Sequence, residues 1–270
     1  MELLHPAGHV ERPTLSSQLR AACSGFPKAY ALAQRLLDHE EYRAACEAAN
    51  ALAVNRLGYS DHGKTHALIC AVGAMQIYKR GLELGWPPSF GGITRNMEER
   101  SGGNPDSASV VVLGALMHDV GNSIARLGHQ QWGLTVAKPI LDDVLSGAYK
   151  SADAREKMTV NVLETILTHD ESVYASAMEA SCVKIADGMD CESGRSRLPW
   201  RAFNADNRYG KSAMSIYYMH LGPDTPDRKL PIWAEMGDAA GLFQMEAVLC
   251  KKIRSSMLDG RVVVEAFVGG

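Results

Sequence analysis

The chain has no apolar run that approaches the roughly 18 residues needed to cross a bilayer, so no membrane-spanning segment is expected. It has no Cys-x-x-Cys pair: Cys23, Cys46, Cys70, Cys182, Cys191 and Cys250 are scattered through helix-like segments. That spacing excludes zinc ribbons and disulfide frameworks. It leaves reduced, mostly buried thiols, which suit a cytoplasm. Charge of one sign is not in excess either. A net charge of -3 and a sequence pI of about 6.3 give no general affinity for nucleic acid, which is not expected as a partner. A local cluster of cations can still meet an anionic small molecule. Met1 to Thr14 lack the basic-then-apolar pattern of a signal peptide. No internal repeat or low-complexity tract is present. With 46% hydrophobic and 22% charged residues, the expectation is a soluble, cytoplasmic, globular protein. Its 270 residues suffice for one large domain with a sizeable core.

Hydrophobic periodicity predicts a mainly α-helical chain. Residues 1–14 are proline-bearing and aperiodic and read as an arm. Helices are expected over 15–24, 27–39 and 41–57, with Gly58 as the stop. A long helical pattern then runs to about Gly85, with Ala67, Cys70, Ala71, Ala74, Ile77 and Tyr78 at three- and four-residue steps. Residues 86–108 are punctuated by Trp86-Pro87-Pro88, Gly91-Gly92 and Gly102-Gly103, and read as a long loop. Segment 107–119 contains Val110 to Val112 and could pass for a strand, but its length and its Ala and Leu favour helix. Further helices are expected over 129–146, 153–169 and 172–188. Beyond Pro199 the pattern changes: 213–220, 230–236 and 261–268 are strand-like around a helix at 239–257. The chain thus divides into an arm with its first helices (1–40), a helical domain (41–200) and a small α+β module (201–270).

Nine histidines are present. His5, His9, His39 and His220 lie where solvated or structural roles suffice. His62, His66, His118, His129 and His169 lie at helix ends or in helices that could converge, and Asp119 and Asp187 join them. Imidazole nitrogens with carboxylate oxygens suit divalent manganese, iron, zinc, cobalt or magnesium. Helices of a bundle can each point one such side chain inward. His62 lies four residues before His66. A helix already running there puts both on one face; a start at Gly63 leaves His62 near the mouth.

The ordered series His66, then Leu116-Met117-His118-Asp119-Val120-Gly121, then Lys184-Ile185-Ala186-Asp187-Gly188 resembles the signature of the HD-domain superfamily of metal-dependent phosphohydrolases. The resemblance covers roughly residues 50–200. It implies an HD-type helical bundle in which His66, His118, Asp119 and Asp187 hold one divalent ion. Gly128-His129 and Thr168-His169-Asp170 are similar to the extra histidines of some subfamilies. They imply a second ion held by His129 and His169, with Asp119 as the bridge. Gly121 and Gly128 would allow the sharp turn between His118 and His129.

The expected activity is hydrolysis of a phosphoester, of a nucleotide or another small phosphorylated molecule, with one or two divalent ions per chain. Lys64, Arg126, Lys184, Arg195 and Arg197, with His62, are the candidates for binding its phosphate. Asp119, His169 and Lys184 are the catalytic candidates, with Asp170 a further group that could move a proton. Asp190 reads as a partner of a ligand or as a helix cap. Two other readings stand beside this one. Some members of the superfamily use a di-iron centre to activate oxygen. Alternatively, the fold serves as a metal-bearing ligand sensor or assembly module. A homo-oligomer is expected through the C-terminal module, where Tyr217-Tyr218 lie in a strand-like segment that could pair with another subunit.

Overall fold

Asn104 starts the helix around which the others pack. Its side chain accepts a hydrogen bond from the Asp106 amide, and Pro105 occupies the first helical position, where its missing N–H costs nothing. The computed structural model describes residues 13–91, 104–192, 212, 214–223 and 225–269. Twelve residues of the 86–108 segment, 92–103, lie outside them, as do residues 1–12 of the arm.

Helix α1 is Leu15–Ala22, α2 is Pro27–Asp38, and α3 is Glu40–Asn50, prolonged by a π-helical turn at Ala51–Arg56. Gly58, at φ 69°, ends it as expected. Helix α4 is Lys64–Glu83, α5 is Pro105–Met117, α6 is His129–Ser146, α7 is Ala152–Thr168 and α8 is Met178–Met189. Every residue of α5 from Asp106 to Met117 is buried. A helix that is apolar on all sides must be surrounded, and α2, α4, α7 and α8 all pack on it. That enclosure explains why Val110 to Val112 are helical: β-branched residues bury well wherever neighbours surround them, and packing overrides their local preference. Each of these side chains contributes roughly 1.5–3 kcal/mol by leaving water.

Among the described residues from Ile216 onward, the chain forms a three-stranded sheet and one helix. Strand β1 (Ile216–Leu221) runs antiparallel to β2 (Leu230–Met236), and β2 runs parallel to β3 (Val262–Val268), in the order β1-β2-β3. A parallel pair needs a crossover. Here it is α9, formed by the contiguous segments Gly241–Gln244, Met245–Cys250 (π-helical) and Lys251–Arg254. The chain is therefore mainly α with a small C-terminal α+β module. That module shares the main core: Leu230 and Ile232 of β2, Leu249 and Ile253 of α9 and Val262 of β3 are buried in one cluster with the helices. Tyr217 and Tyr218 stand exposed on β1.

None of the six cysteines is in a disulfide; five are buried and Cys250 is half-buried. Among the described residues, no helix is long and apolar enough to cross a membrane.

Candidate metal centre

Six side chains from five helix ends meet at one point. His66 lies in the first turn of α4, His118 caps the C-terminus of α5, and Asp119 opens the 3-10 turn Val120–Ser123. His129 is the first residue of α6, His169 caps the C-terminus of α7, and Asp187 lies in the last turn of α8. Helix ends leave backbone groups without intrahelical partners, and the histidines use them. Nδ1 of His118 lies 2.8 Å from the Ala115 carbonyl, and Nδ1 of His169 lies 2.6 Å from the Ile166 carbonyl. Nδ1 of His129 lies 3.2 Å from the Arg126 carbonyl. The chain reverses between His118 and His129 as the glycines suggested. Gly128 adopts φ 71°, and a Cβ on Gly121 would overlap the His129 carbonyl.

The geometry divides into two halves that share Asp119. In one half, His66 Nε2 lies 3.1 Å from His118 Nε2 and 3.2 Å from Asp187 Oδ1. Asp119 Oδ2 is 3.4 Å from both histidines. In the other half, His129 Nε2 and His169 Nε2 are 3.0 Å apart, and Asp119 Oδ1 is 3.4 Å and 3.7 Å from them. Asp119 thus turns one oxygen to each histidine pair. Asn122 holds this carboxylate by donating from Nδ2 to Oδ1 at 2.9 Å.

The placement of protons on these rings fits a cation at their centre. A carbonyl or carboxylate oxygen only accepts, so each Nδ1 facing one is the protonated nitrogen. That holds for His118, His129 and His169, and for His66, whose Nδ1 is 2.5 Å from Asp190 Oδ2. With only those protons aboard, the Nε2 atoms are all acceptors, and they face each other in pairs across about a hydrogen-bond length, so each pair calls for a further proton or a cation between its members. Four lone pairs and three carboxylate oxygens converging in a buried site are relieved by a positive charge, and a divalent ion meets that need. Protons meet it less well, because burial pushes His129 and His169 below the usual histidine range, His169 far below. Burial also opposes ionisation of Asp119, but His118 and His62 outweigh it and hold the carboxyl well below the usual range. Asp187 is held low in the same way, against burial, chiefly by Lys252. A carboxylate on the outer nitrogen of a ligating histidine, as Asp190 is on His66, is the usual second support of a metal site. The helical fold with this His/Asp cluster, which could hold metal, is compatible with an HD-type domain.

The other sequence candidates fall in several places. A cleft of about 270 Å³ opens onto the centre, and His62, Arg126 and Asp170 line it. Helix α4 starts after Gly63, so His62 does not share its face. Its buried ring hydrogen-bonds the Ser60 carbonyl at 2.6 Å, 5.8 Å from the His66 ring. Arg126 donates to Asn122 Oδ1 at 3.1 Å and lies over the Tyr59 ring. Asp170 accepts from the Ser172 amide and hydroxyl, which keep it ionised against the effect of burial. Lys64 is exposed and does not line the cleft. Lys184 needs correction as a catalytic and phosphate-binding candidate. It does not line the cleft, and its ammonium donates to the carbonyls of Val173 at 2.6 Å and Ser255 at 2.9 Å. Lys184 lies one turn from Asp187 on α8 and so near the same face, but its long side chain carries the ammonium to those carbonyls and not to Asp187. Arg195 and Arg197 lie outside the described residues. Asp190 does both things expected of it: it is the C-cap residue of α8 and the partner of His66.

Sequence reasoning missed three neighbours of the centre: Asn122, Cys70 and Lys252. Cys70 Sγ lies 3.5 Å from His66 Nδ1, one turn along α4, and burial pushes its thiol up to about 11. Only the i, i+4 spacing from His66 signalled it. Lys252 gave no motif at all, since it lies in another module, 65 residues after Asp187.

Comparison with known proteins adds one relationship. The chain is 34% identical over 248 residues to the uncharacterized protein MJ1020 of Methanocaldococcus jannaschii, and the match covers 90% of each chain. No family model and no solved structure matches it. Similarity of that level over nearly the whole length of both chains means that this protein belongs to the same family as the Methanocaldococcus protein.

Proposed function

We propose that the protein is an HD-type, metal-dependent phosphohydrolase that cleaves a phosphoester of a small phosphorylated molecule such as a nucleotide. The observation that carries this reading is the division of Asp119 between two histidine pairs, Oδ2 toward His66 and His118 and Oδ1 toward His129 and His169. His66, His118, Asp119 and Asp187 would hold one divalent ion; His129, His169 and the other oxygen of Asp119 would hold a second. Bound there, such ions supply Lewis acidity toward a phosphoryl oxygen and toward an attacking water.

The protein's own groups set the rest. The cleft leads directly onto the ligand cluster, so a phosphate entering it meets Arg126 at the wall, and a guanidinium offsets charge that develops on phosphoryl oxygens. With ions bound, the lone pairs of Asp119 and His169 would serve as ligands, which leaves the proton to other groups. Asp170, ionised on the cleft wall, and His62 are the groups placed to accept the proton of the water. The same groups can return it to the oxygen released when the P–O bond breaks.

The test is an assay of the purified protein on nucleotides and a generic phosphoester, before and after metal stripping. Activity should vanish on stripping, return with a divalent ion, and be absent in His118→Ala. Hydrolysis that survives both treatments overturns the reading. A di-iron oxygenase is the second reading, and the four-histidine, two-carboxylate donor set favours it equally. Two irons per chain, a visible absorption band and oxygen consumption would replace hydrolysis with oxygen chemistry.

A further inference from the structure

Helix α9 belongs to the C-terminal module, yet it delivers a charged side chain to the metal centre. Lys252 is only 6% exposed. Its Nζ donates to Asp187 Oδ2 at 2.7 Å and to the His169 carbonyl at 2.8 Å. Oδ1, the other oxygen of that same Asp187 carboxylate, is the one that faces His66 and His118. A glycine makes the approach possible. A Cβ on Gly188 would stand 3.1 Å from Lys252 Cδ and 3.2 Å from Leu249 Cα, so a side chain there requires Lys252 and α9 to give by a few tenths of an ångström. Leu249 and Ile253, on the same face of α9 as Lys252, are buried in the main core and anchor it there.

We infer that Lys252 is a positioning residue of the metal centre: it locks the Asp187 carboxylate so that Oδ1 is presented to the ion, and it ties the His169 end of α7 to the same point. One ammonium thereby braces both halves of the site, and the C-terminal module completes the centre. The inference rests on the metal reading above.

Charge and positioning predict opposite signs. A lysine acting only as a positive charge repels a cation, so its removal should tighten metal binding. A lysine that orients a ligand should loosen binding when removed, since loss of such a supporting group typically costs about 10- to 100-fold in metal affinity.

The experiment uses the full chain, stripped of metal, and titrates it with Mn2+ by calorimetry, alongside thermal melting of the stripped proteins. Lys252→Met keeps the length of the side chain and removes the donor. Gly188→Ala keeps the ammonium and pushes it outward. The expected result is Mn2+ binding about 10- to 100-fold weaker in Lys252→Met and weaker also in Gly188→Ala. Equal or tighter binding in both variants overturns the inference. If Lys252→Met does not fold, Gly188→Ala decides alone by the same criterion. A wild-type chain that binds no divalent ion overturns the metal reading and this inference together. A wild-type chain that binds Mn2+, with variants that match it, overturns this inference only.

Discussion

His129 Nε2 and His169 Nε2 face each other at 3.0 Å while both Nδ1 atoms are committed to backbone carbonyls. Two acceptors at that separation repel, and the packing of α6 against α7 keeps them there. The His66 and His118 pair repeats the arrangement at 3.1 Å. The folded chain therefore stores an electrostatic demand for cations at two adjacent points.

Elemental analysis is expected to find two divalent ions per chain. Asp119→Ala should empty both points, because its two oxygens serve both pairs. His66→Ala and His129→Ala should each empty one. If Asp119→Ala keeps one ion at full occupancy, the bridging role is wrong. Saturating metal at 100 times its dissociation constant stabilises the fold by about 2.7 kcal/mol per site, so stripping should lower the melting temperature by about 5–10 °C for each ion lost.

The metal-stripped protein should lose stability as the pH drops below about 6.5. Burial holds His129 and His169 below the usual value, so the unfolded chain binds protons more readily than the folded one. Their contribution is fully present above the unfolded value and is lost as the pH falls through the folded one. Asp119 and Asp187, also held low, add a second loss below about pH 4. Melting temperatures between pH 8 and 4 measure this, and a flat profile would contradict it.

Lys184→Met should destabilise the fold by about 1–3 kcal/mol, because two buried carbonyls lose their donor. Metal content and kcat should stay unchanged. Denaturant unfolding and metal analysis on one preparation separate these effects; a loss of metal would restore Lys184 to the site.

Arg126→Ala should keep both ions and lower kcat/KM on a phosphoester about 10- to 100-fold, the size of one charge-assisted hydrogen bond. Arg126 also holds Asn122, which in turn holds Asp119. Loss of metal in this variant would show that the arginine acts through that chain and not on substrate.

The helices, their order, and the strand-like C-terminal segments were legible in the sequence, because periodicity and punctuation by Gly58 and Pro105 are local signals. The order of His66, His118-Asp119, His129, His169 and Asp187 was legible too, since each marks a helix end. Tertiary structure alone decided how those ends meet. Only the meeting shows that Asp119 splits its oxygens and that the Nδ1 protons point outward. It also shows that Lys184, close to Asp187 in sequence, donates to backbone carbonyls, whereas Lys252, distant in sequence, donates to Asp187. Position along a chain records which residues are available. Which atom of each reaches a common point depends on helix face, ring orientation and the packing of α9 on α8, and those are properties of the assembled core.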